Sequence, residues 1–378
     1  MSLEVVPVER SNELSAFIDV PWHIPGAVSH PQWVPPLRMM VRDLLDTKSN
    51  PFYRQAERQL FVARRRGKPV GRIAAIENKA HNSFHGDRTG FFGFFEAIED
   101  AEVAQALLAA AETWLRKRGL DVMRGPMNPS TNHDCGLLVD GFDQHPQFLT
   151  SWNPRYYEAL IEGAGLVRAK DLVGYWLPFG EPGYQVPNRL EALARRAATK
   201  ANLTFRDLDP RRFWDEVEIC WDVYNSAWER NWGFVPMARD EFLHMAKSLK
   251  LLLPRQFAFV AEVNGQPAGF LLPTLDLNLI FKRIPSGRLF PFGLAKILFG
   301  IGRLRSGRVL ALGIKDTYRS GSILPLFLYE AARRAVAWGS PGAEASWILE
   351  DNYAMRQPME EMGGRLYRRW RIYERRVI

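Results

Sequence analysis

Cysteine is almost missing from this sequence. Cys135 and Cys220 are the only two in 378 residues, too few for a disulfide framework and in no metal-binding spacing. The seven histidines form no His-Glu-x-x-His motif and join no Cys/His cluster, so no metal is expected. Neither a Gly-x-Gly-x-x-Gly turn nor a Gly-Lys-Ser/Thr loop occurs, which argues against dinucleotide and nucleoside triphosphate binding. No apolar run reaches the length of about 18 residues that a membrane-spanning helix needs. Residues 1–14 are polar and lack the apolar stretch of a signal peptide, so a cytoplasmic location is expected. Low-complexity tracts are absent as well. The remaining composition is globular, with 47% hydrophobic, 24% charged and 12% aromatic residues, and the length suits two domains.

Acidic residues are missing from one long stretch. Between Leu277 and Lys315 there is none, while eight cations fall there: Lys282, Arg283, Arg288, Lys296, Arg303, Arg305, Arg308 and Lys315. They account for the whole excess of 50 Lys and Arg over 42 Asp and Glu. The same stretch is apolar, with Ile280, Phe281, Leu289, Phe290, Phe292, Leu294, Ile297, Leu298, Phe299 and Ile301. A basic apolar segment suits an anionic membrane surface or a lipid. The alternative is a solvated loop with a packed underside. Nucleic acid fits less well, because the only aromatics here are Phe, set among aliphatics. Pro and Gly cut the segment into short pieces, and 292–303 is the best helical piece, with Leu294, Ile297 and Ile301 on one stripe. Segment 279–308 is thus the expected contact with an anionic membrane, and peripheral attachment at the inner membrane the matching location.

An internal repeat sets the architecture. Phe61-Val-Ala-Arg-Arg-Arg-Gly-Lys-Pro-Val-Gly71 aligns with Phe259-Val-Ala-Glu-Val-Asn-Gly-Gln-Pro-Ala-Gly269, with six of eleven positions identical at an offset of 198. Each copy reads as strand, tight turn, strand. Asn153 and Asn352 each precede a helical run ending in glycine, at an offset of 199. A duplicated module follows: a helical N-terminal part, the hairpin, a strand (89–95 and 308–314), a helix (101–118 and 323–337) closed by Gly119 and Gly339, a strand (121–125 and 345–349), the helix after the Asn, and a last strand (172–177 and 367–377). The architecture is mixed α/β in tandem. The expected boundaries are 1–177 and 189–378, with the Pro- and Gly-rich 178–188 as linker.

This order, with Ala345-Ser-Trp-Ile-Leu-Glu-Asp-Asn-Tyr-Ala leading through Glu361-Met-Gly-Gly-Arg-Leu to Tyr373-Glu-Arg375, resembles the GNAT acyltransferase fold, twice over. Gly125-Pro-Met-Asn-Pro-Ser-Thr-Asn132, Gly136-Leu-Leu-Val-Asp-Gly141 and Tyr224-Asn225 through Asn231-Trp-Gly-Phe-Val-Pro236 resemble one bacterial branch, the ceramide synthases, which join a long acyl chain to a sphingoid amine. The resemblance covers nearly the whole chain. It implies an acyl-CoA-dependent N-acyltransferase, with acyl-CoA as co-substrate and a primary amine as acceptor, a lipid or sphingoid amine in the ceramide synthase branch.

GNAT enzymes hold the CoA pyrophosphate at the turn between the fourth strand and the next helix, where free N–H groups and close approach by Gly are needed. The second copy offers Lys315, Arg319, Ser320, Gly321 and Ser322, one residue short of the family's Arg-x-x-Gly-x-Gly/Ala. The resemblance adds Asn352. The first copy has Glu96, Glu99 and Asp100 there and no Gly, so acids would repel a pyrophosphate and that copy is expected to be non-catalytic. Its 125–141 loop, with Asn128, Ser130 and Asn132, and Trp232 of the second copy, are candidate substrate residues. Otherwise the loop is an inter-domain turn that caps itself. Attack of an amine on a thioester needs a base and an acid. The family's usual Tyr, seven residues after the Asn, is Met359 here and Leu160 in the first copy. Tyr353 is a nearby phenol; Asp276 and Glu229 are candidate bases. Two other readings stay open: an aminoacyl-tRNA-dependent transferase, supported by the basic segment, and a non-catalytic lipid- or partner-binding protein, supported by the missing Tyr.

Overall fold

The computed structural model describes residues 2–250, 252–319 and 321–377. The first half runs β1 (Leu3–Pro7), α1 (Ser11–Asp19), α2 (Pro25–Val28), α3 (Arg38–Leu44), β2 (Ala56–Arg65), β3 (Lys68–Asn78), α4 (Lys79–His85), β4 (Thr89–Ala97) and α5 (Ala101–Arg116). It continues through β5 (Val122–Gly125), β6 (Met127–Asn128), β7 (Asp134–Cys135), β8 (Leu137–Asp140), α6 (Tyr156–Gly163) and β9 (Val167–Leu177). The second half runs α7 (Asn188–Ala198), β10 (Leu203–Asp207), α8 (Phe213–Trp228), α9 (Arg239–Leu249), β11 (Phe259–Val263), β12 (Gln266–Leu275), α10 (Asn278–Phe281) and α11 (Gly293–Gly300). It ends with β13 (Gly307–Ile314), α12 (Ile323–Ala337), β14 (Ala343–Leu349), α13 (Tyr353–Glu361) and β15 (Arg365–Arg376).

The repeat is reproduced in backbone angles and register where local sterics decide. The β2–β3 turn places Arg66 at φ 54° and Gly67 at 75°; the β11–β12 turn places Asn264 at 52° and Gly265 at 74°. Two successive left-handed residues make the turn that matches strand twist, and Gly takes the second position without strain. Both hairpins also carry a register shift at the matching place, Ala63/Arg64 and Ala261/Glu262. In α5 the apolar positions Val103, Ala104, Leu107, Leu108, Ala111 and Leu115 recur at helical spacing and are all buried. Gly119 and Gly339, at φ 72° and 73°, end the two long helices.

The chain forms two compact units. Unit 1 contains Met1–Leu172, Asn278–Gly300 and Arg368–Ile378; unit 2 contains Val173–Leu277 and Ile301–Tyr367. In unit 1 the strand order is β1-β2-β3-β4-β5, followed by the end of β15. That end is antiparallel to β5, with Tyr373 opposite Gly125 and Arg376 opposite Val122. Tyr373 is fully buried among Val103, Leu107, Ala111, Tyr157 and Ile161. In unit 2 the order is β10-β11-β12-β13-β14, with the end of β9 beyond β14, and Val173, Tyr175 and Leu177 pack against Leu328, Ala332, Ala345 and Met359. Each copy's last strand thus closes the other copy's sheet.

This alters the expected division at 177 and 189: residues 173–177 belong to unit 2, and 278–300 and 368–378 to unit 1. The expected linker is not a free tether either. Phe179 is buried in the core of unit 2, with Tyr184 and Val186 packed against the same core, because an aromatic-containing stretch has apolar area to bury. A third correction concerns Arg308. Only 2% of it is exposed, so it contributes nothing to a basic surface. The helical piece expected at 292–303 is present as α11 and a following 3-10 turn, Ile301–Arg303. No helix of the described residues is long and apolar enough to cross a membrane.

Candidate functional site

The two copies differ where their parallel central strands part. In unit 2, β13 and β14 pair only at Gly307–Ala343, Arg308–Glu344 and Val309–Ala345. Both strands continue, β13 to Ile314 and β14 to Leu349. Along 310–313 the β14-facing edge of β13 therefore has no strand partner among the described residues. In unit 1, β4 and β5 also pair over only three residues, Thr89–Val122 to Phe91–Arg124. There the chain fills the gap itself. The Asn128 side-chain oxygen accepts the Phe94 N–H at 2.6 Å, and a Cβ on Gly93 would lie 1.6 Å from the Met127 carbonyl oxygen. Strand β6 is thus lodged against β4, and Asn128 spends its oxygen on that contact.

The helix that follows each diverging strand differs in the same sense. At α5 the Asp100 carboxylate accepts the N–H groups of Glu102 and Val103, and Arg65 holds it at 2.6 Å. Arg65 and these N–H groups hold the Asp100 carboxyl below its ordinary range. An anion is already seated at that helix end. At α12 the N-cap is Ser322, whose side chain makes no capping bond, and the first turn has no acid. The first N–H groups of a helix have no partner within it, so this end presents donors and a positive dipole to an outside anion.

Around that end, Lys315 Nζ lies 2.6 Å from Asp222 and Arg319 lies 2.8 Å from Asp316. Arg319 also donates to the carbonyls of Ile314 and Ala227, fastening the turn to α8. The exposed Arg230 reaches Asp316 at 3.2 Å, a cation at the turn that the sequence motif did not contain. Gly321 N donates to Tyr318 O at 3.0 Å, and Ser320 lies outside the described residues. Asn352 is the N-cap of α13, its oxygen accepting Met355 N.

The candidate bases sit at opposite ends of β13. Asp276 follows β12, is 1% exposed, and donates its N–H to Ser306 O. Glu229 is exposed at the end of α8, where the neighbouring Trp228 ring lies on Gly313 so closely that a Cβ would be 2.6 Å away. At about 3.3 Å per residue, roughly 20 Å of strand separates these ends. Tyr353 is 70% exposed, with the Arg356 guanidinium over its ring. Met359 and Leu160, at the family's phenol position, are both core residues. Asn225 explains the motif that follows it: its amide takes Met237 N–H and donates to Met237 O, closing the loop that carries Trp232. In unit 1, Ser130 Oγ lies 2.9 Å from His133 Nδ1 and accepts Asn132 N–H.

One cluster was missed from the sequence. Where β13 and β14 part, Glu344 is fully buried and accepts hydrogen bonds from Ser346 Oγ and the Tyr367 hydroxyl. Arg308 donates to Ser346 O at 2.8 Å. The signal was the pair Glu344 and Ser346, two apart and so on one face of a strand, in a segment otherwise apolar. No group of His, Cys, Asp and Glu among the described residues could hold a metal ion, and the two cysteines are buried and not joined by a disulfide.

Comparison with known proteins settles the lineage. No protein-family model matches the chain. It is 36% identical over 380 residues to the bacterial ceramide synthase of Caulobacter vibrioides, covering 99% of this chain and 97% of that one. It is 35% identical over 374 residues to the protein YghO of Escherichia coli, covering 97% and 94%. Among solved structures it resembles a tandem GNAT protein from the clavulanic acid biosynthesis pathway, with TM-score 0.60, 15% identity and coverage of 100% and 99%. A GCN5-related N-acetyltransferase from Sphaerobacter thermophilus gives 0.54, 11% identity, and 99% and 96% coverage. The chain belongs to the family of the bacterial ceramide synthase and YghO. Its fold is that of tandem GNAT proteins, and among the described residues unit 2 alone keeps both the open strand edge and the helix end without a side-chain cap.

Proposed function

We propose that this tandem GNAT protein is an acyl-CoA-dependent N-acyltransferase whose donor site lies in unit 2 alone, and that it moves a long acyl chain onto a lipid-like primary amine. The observation that carries the reading is the contrast at the diverging strands: an unpaired edge on β13 leading to an uncapped α12, against an edge filled by Asn128 and a helix capped by Asp100 in unit 1. The likeness to a bacterial ceramide synthase supports the lipid-like acceptor and the long chain. In this reading Lys315, Arg319, Gly321 and Ser322 meet the pyrophosphate, and Ser320 and Asn352 complete the donor set. Arg230 adds a cation at the same turn.

In the reaction the amine nitrogen bonds to the thioester carbon, the C–S bond breaks, and the thiolate leaves. The amine must give up a proton, and the thiolate takes one. Asp276 and Glu344 are the buried carboxylates near the closed end of the strand gap. Glu344 already accepts the Tyr367 hydroxyl, which gives a two-residue path for a proton. Glu229 stands at the other end with the pyrophosphate turn, and Tyr353 is exposed to solvent; both suit ligand contact better than proton transfer. The test is a thermal-shift and calorimetric titration with acyl-CoAs of rising chain length. A donor that binds only the folded state raises the melting temperature, and the rise should grow with chain length at one site per chain. No shift with any acyl-CoA would overturn the reading, and two sites per chain would overturn its restriction to unit 2.

A further inference from the structure

The connection between β12 and β13 builds a platform on unit 1. Its underside is fastened along its length. The Asn278 amide donates to the carbonyls of Pro146 and Gln147 at 2.9 and 3.0 Å, and Phe281 meets Phe148 edge-on. Trp22 Nε1 donates to Pro285 O at 2.7 Å, and Arg38 Nε to Ser286 O at 2.8 Å. Gly287, at φ 64°, lies so close to the Pro36 carbonyl and the Trp22 ring that no side chain fits. Lys296 Nζ donates to Arg283 O at 2.6 Å, tying α11 to the turn after α10.

Among the described residues, the apolar side chains of the outer side are not packed in this way. Phe290, Phe292, Leu298 and Phe299 are 72%, 73%, 64% and 79% exposed. The cations Lys282, Arg283, Arg288 and Lys296 are exposed on the same segment, and no acid occurs anywhere from 277 to 315. Outward aromatic side chains with charge of one sign around them have a specific physical match. The rings gain by entering the boundary between headgroups and acyl chains, and the cations meet lipid phosphates. A protein partner would have to bring acids to match these cations, whereas an anionic bilayer offers phosphates across its whole surface.

We infer that Asn278–Gly300 is an interfacial anchor that seats unit 1 on an anionic lipid bilayer, with Phe290, Phe292, Leu298 and Phe299 inserted and Lys282, Arg283 and Arg288 at the phosphates. The anchor stands independently of the acyl-donor reading, because it uses no residue of the unit 2 site.

The test is flotation of the full chain with phosphatidylcholine vesicles, with and without phosphatidylglycerol. Binding to the phosphatidylglycerol vesicles that weakens with salt is expected. K282E/R283E/R288E should lower the partition by about a hundredfold or more, and F290S/F292S/F299S by more than about tenfold, both with unchanged melting temperature. Both native cysteines are buried, so Phe299→Cys takes an environment-sensitive label selectively. On anionic vesicles its emission should shift to the blue and resist an aqueous quencher. The anchor is overturned if the wild-type chain stays with the unbound fraction, if both triple variants bind as the wild type does, or if the label is shielded without lipid in a concentration-dependent way, which would mark a protein partner. Loss of the acyl-CoA thermal shift would leave every one of these outcomes untouched.

Discussion

Glu241, on α9, carries a cost that depends on pH. Its Oε1 is buried with no hydrogen-bond partner among the described residues. Burial first, and the charge of Asp240 second, push its carboxyl up to about 7 from an ordinary 4.5. The folded state therefore holds a proton that the unfolded state has already lost. Stability falls as pH rises from about 4.5 to about 7 and stays lower above. Glu241→Gln removes the titration, so it should stabilise unit 2 by up to about 3 kcal/mol near pH 8 and change little near pH 4. Melts at the two pH values check this; an equal gain at both would mean that the effect is not the carboxyl's ionisation. Glu241 was invisible in the sequence because its residue type sits on helix surfaces everywhere. Its environment comes from what packs around α9, which no local pattern encodes.

A helix end can be tuned in two directions at once. Ser322→Asp supplies the missing cap at α12, which should raise stability by about 0.5–1 kcal/mol. The same carboxylate stands where the pyrophosphate is proposed to lie, so acyl-CoA affinity should fall at least about tenfold. The opposite signs separate a lost site from a lost fold, and calorimetry together with a thermal melt reads both. Unchanged affinity would place the donor elsewhere. Asp100→Ala in α5 should cost about 1 kcal/mol or more and leave one donor per chain. Gly93→Ala tests the filled gap of unit 1: the added Cβ would meet the Met127 carbonyl at 1.6 Å, so β6 must move or the unit must loosen, at a cost of roughly 1–3 kcal/mol or more. Chemical denaturation measures it; a neutral result would mean that β6 is not held there.

For the molecule as a whole, the exchanged strands make each half depend on a distant part of the chain. Residues 368–378 bring Tyr373 into the core of unit 1 and pair with β5. Removing them should expose the buried face of α5 and lower its amide protection in hydrogen exchange well below that of α12. Full protection of α5 in that truncation would show that unit 1 closes without the strand.

The hairpins, the long helices and the tandem order were all legible in the amino-acid sequence, because each is decided within about twenty residues. Gly67 and Gly265 are needed by their own turns, and the apolar spacing of 103–115 specifies the buried face of its own helix. The acid-rich first turn before α5 and its absence before α12 were legible for the same reason. Tertiary structure alone decided which sheet each last strand joins, that Asn128 fills the gap in unit 1, that Arg308 turns inward beside Glu344 while Lys282 and Arg288 stay out, and that Phe179 is core rather than linker. Those outcomes depend on partners separated by tens to hundreds of residues. A strand pattern states only that one face must be buried; the shape of the remaining chain selects the surface that buries it.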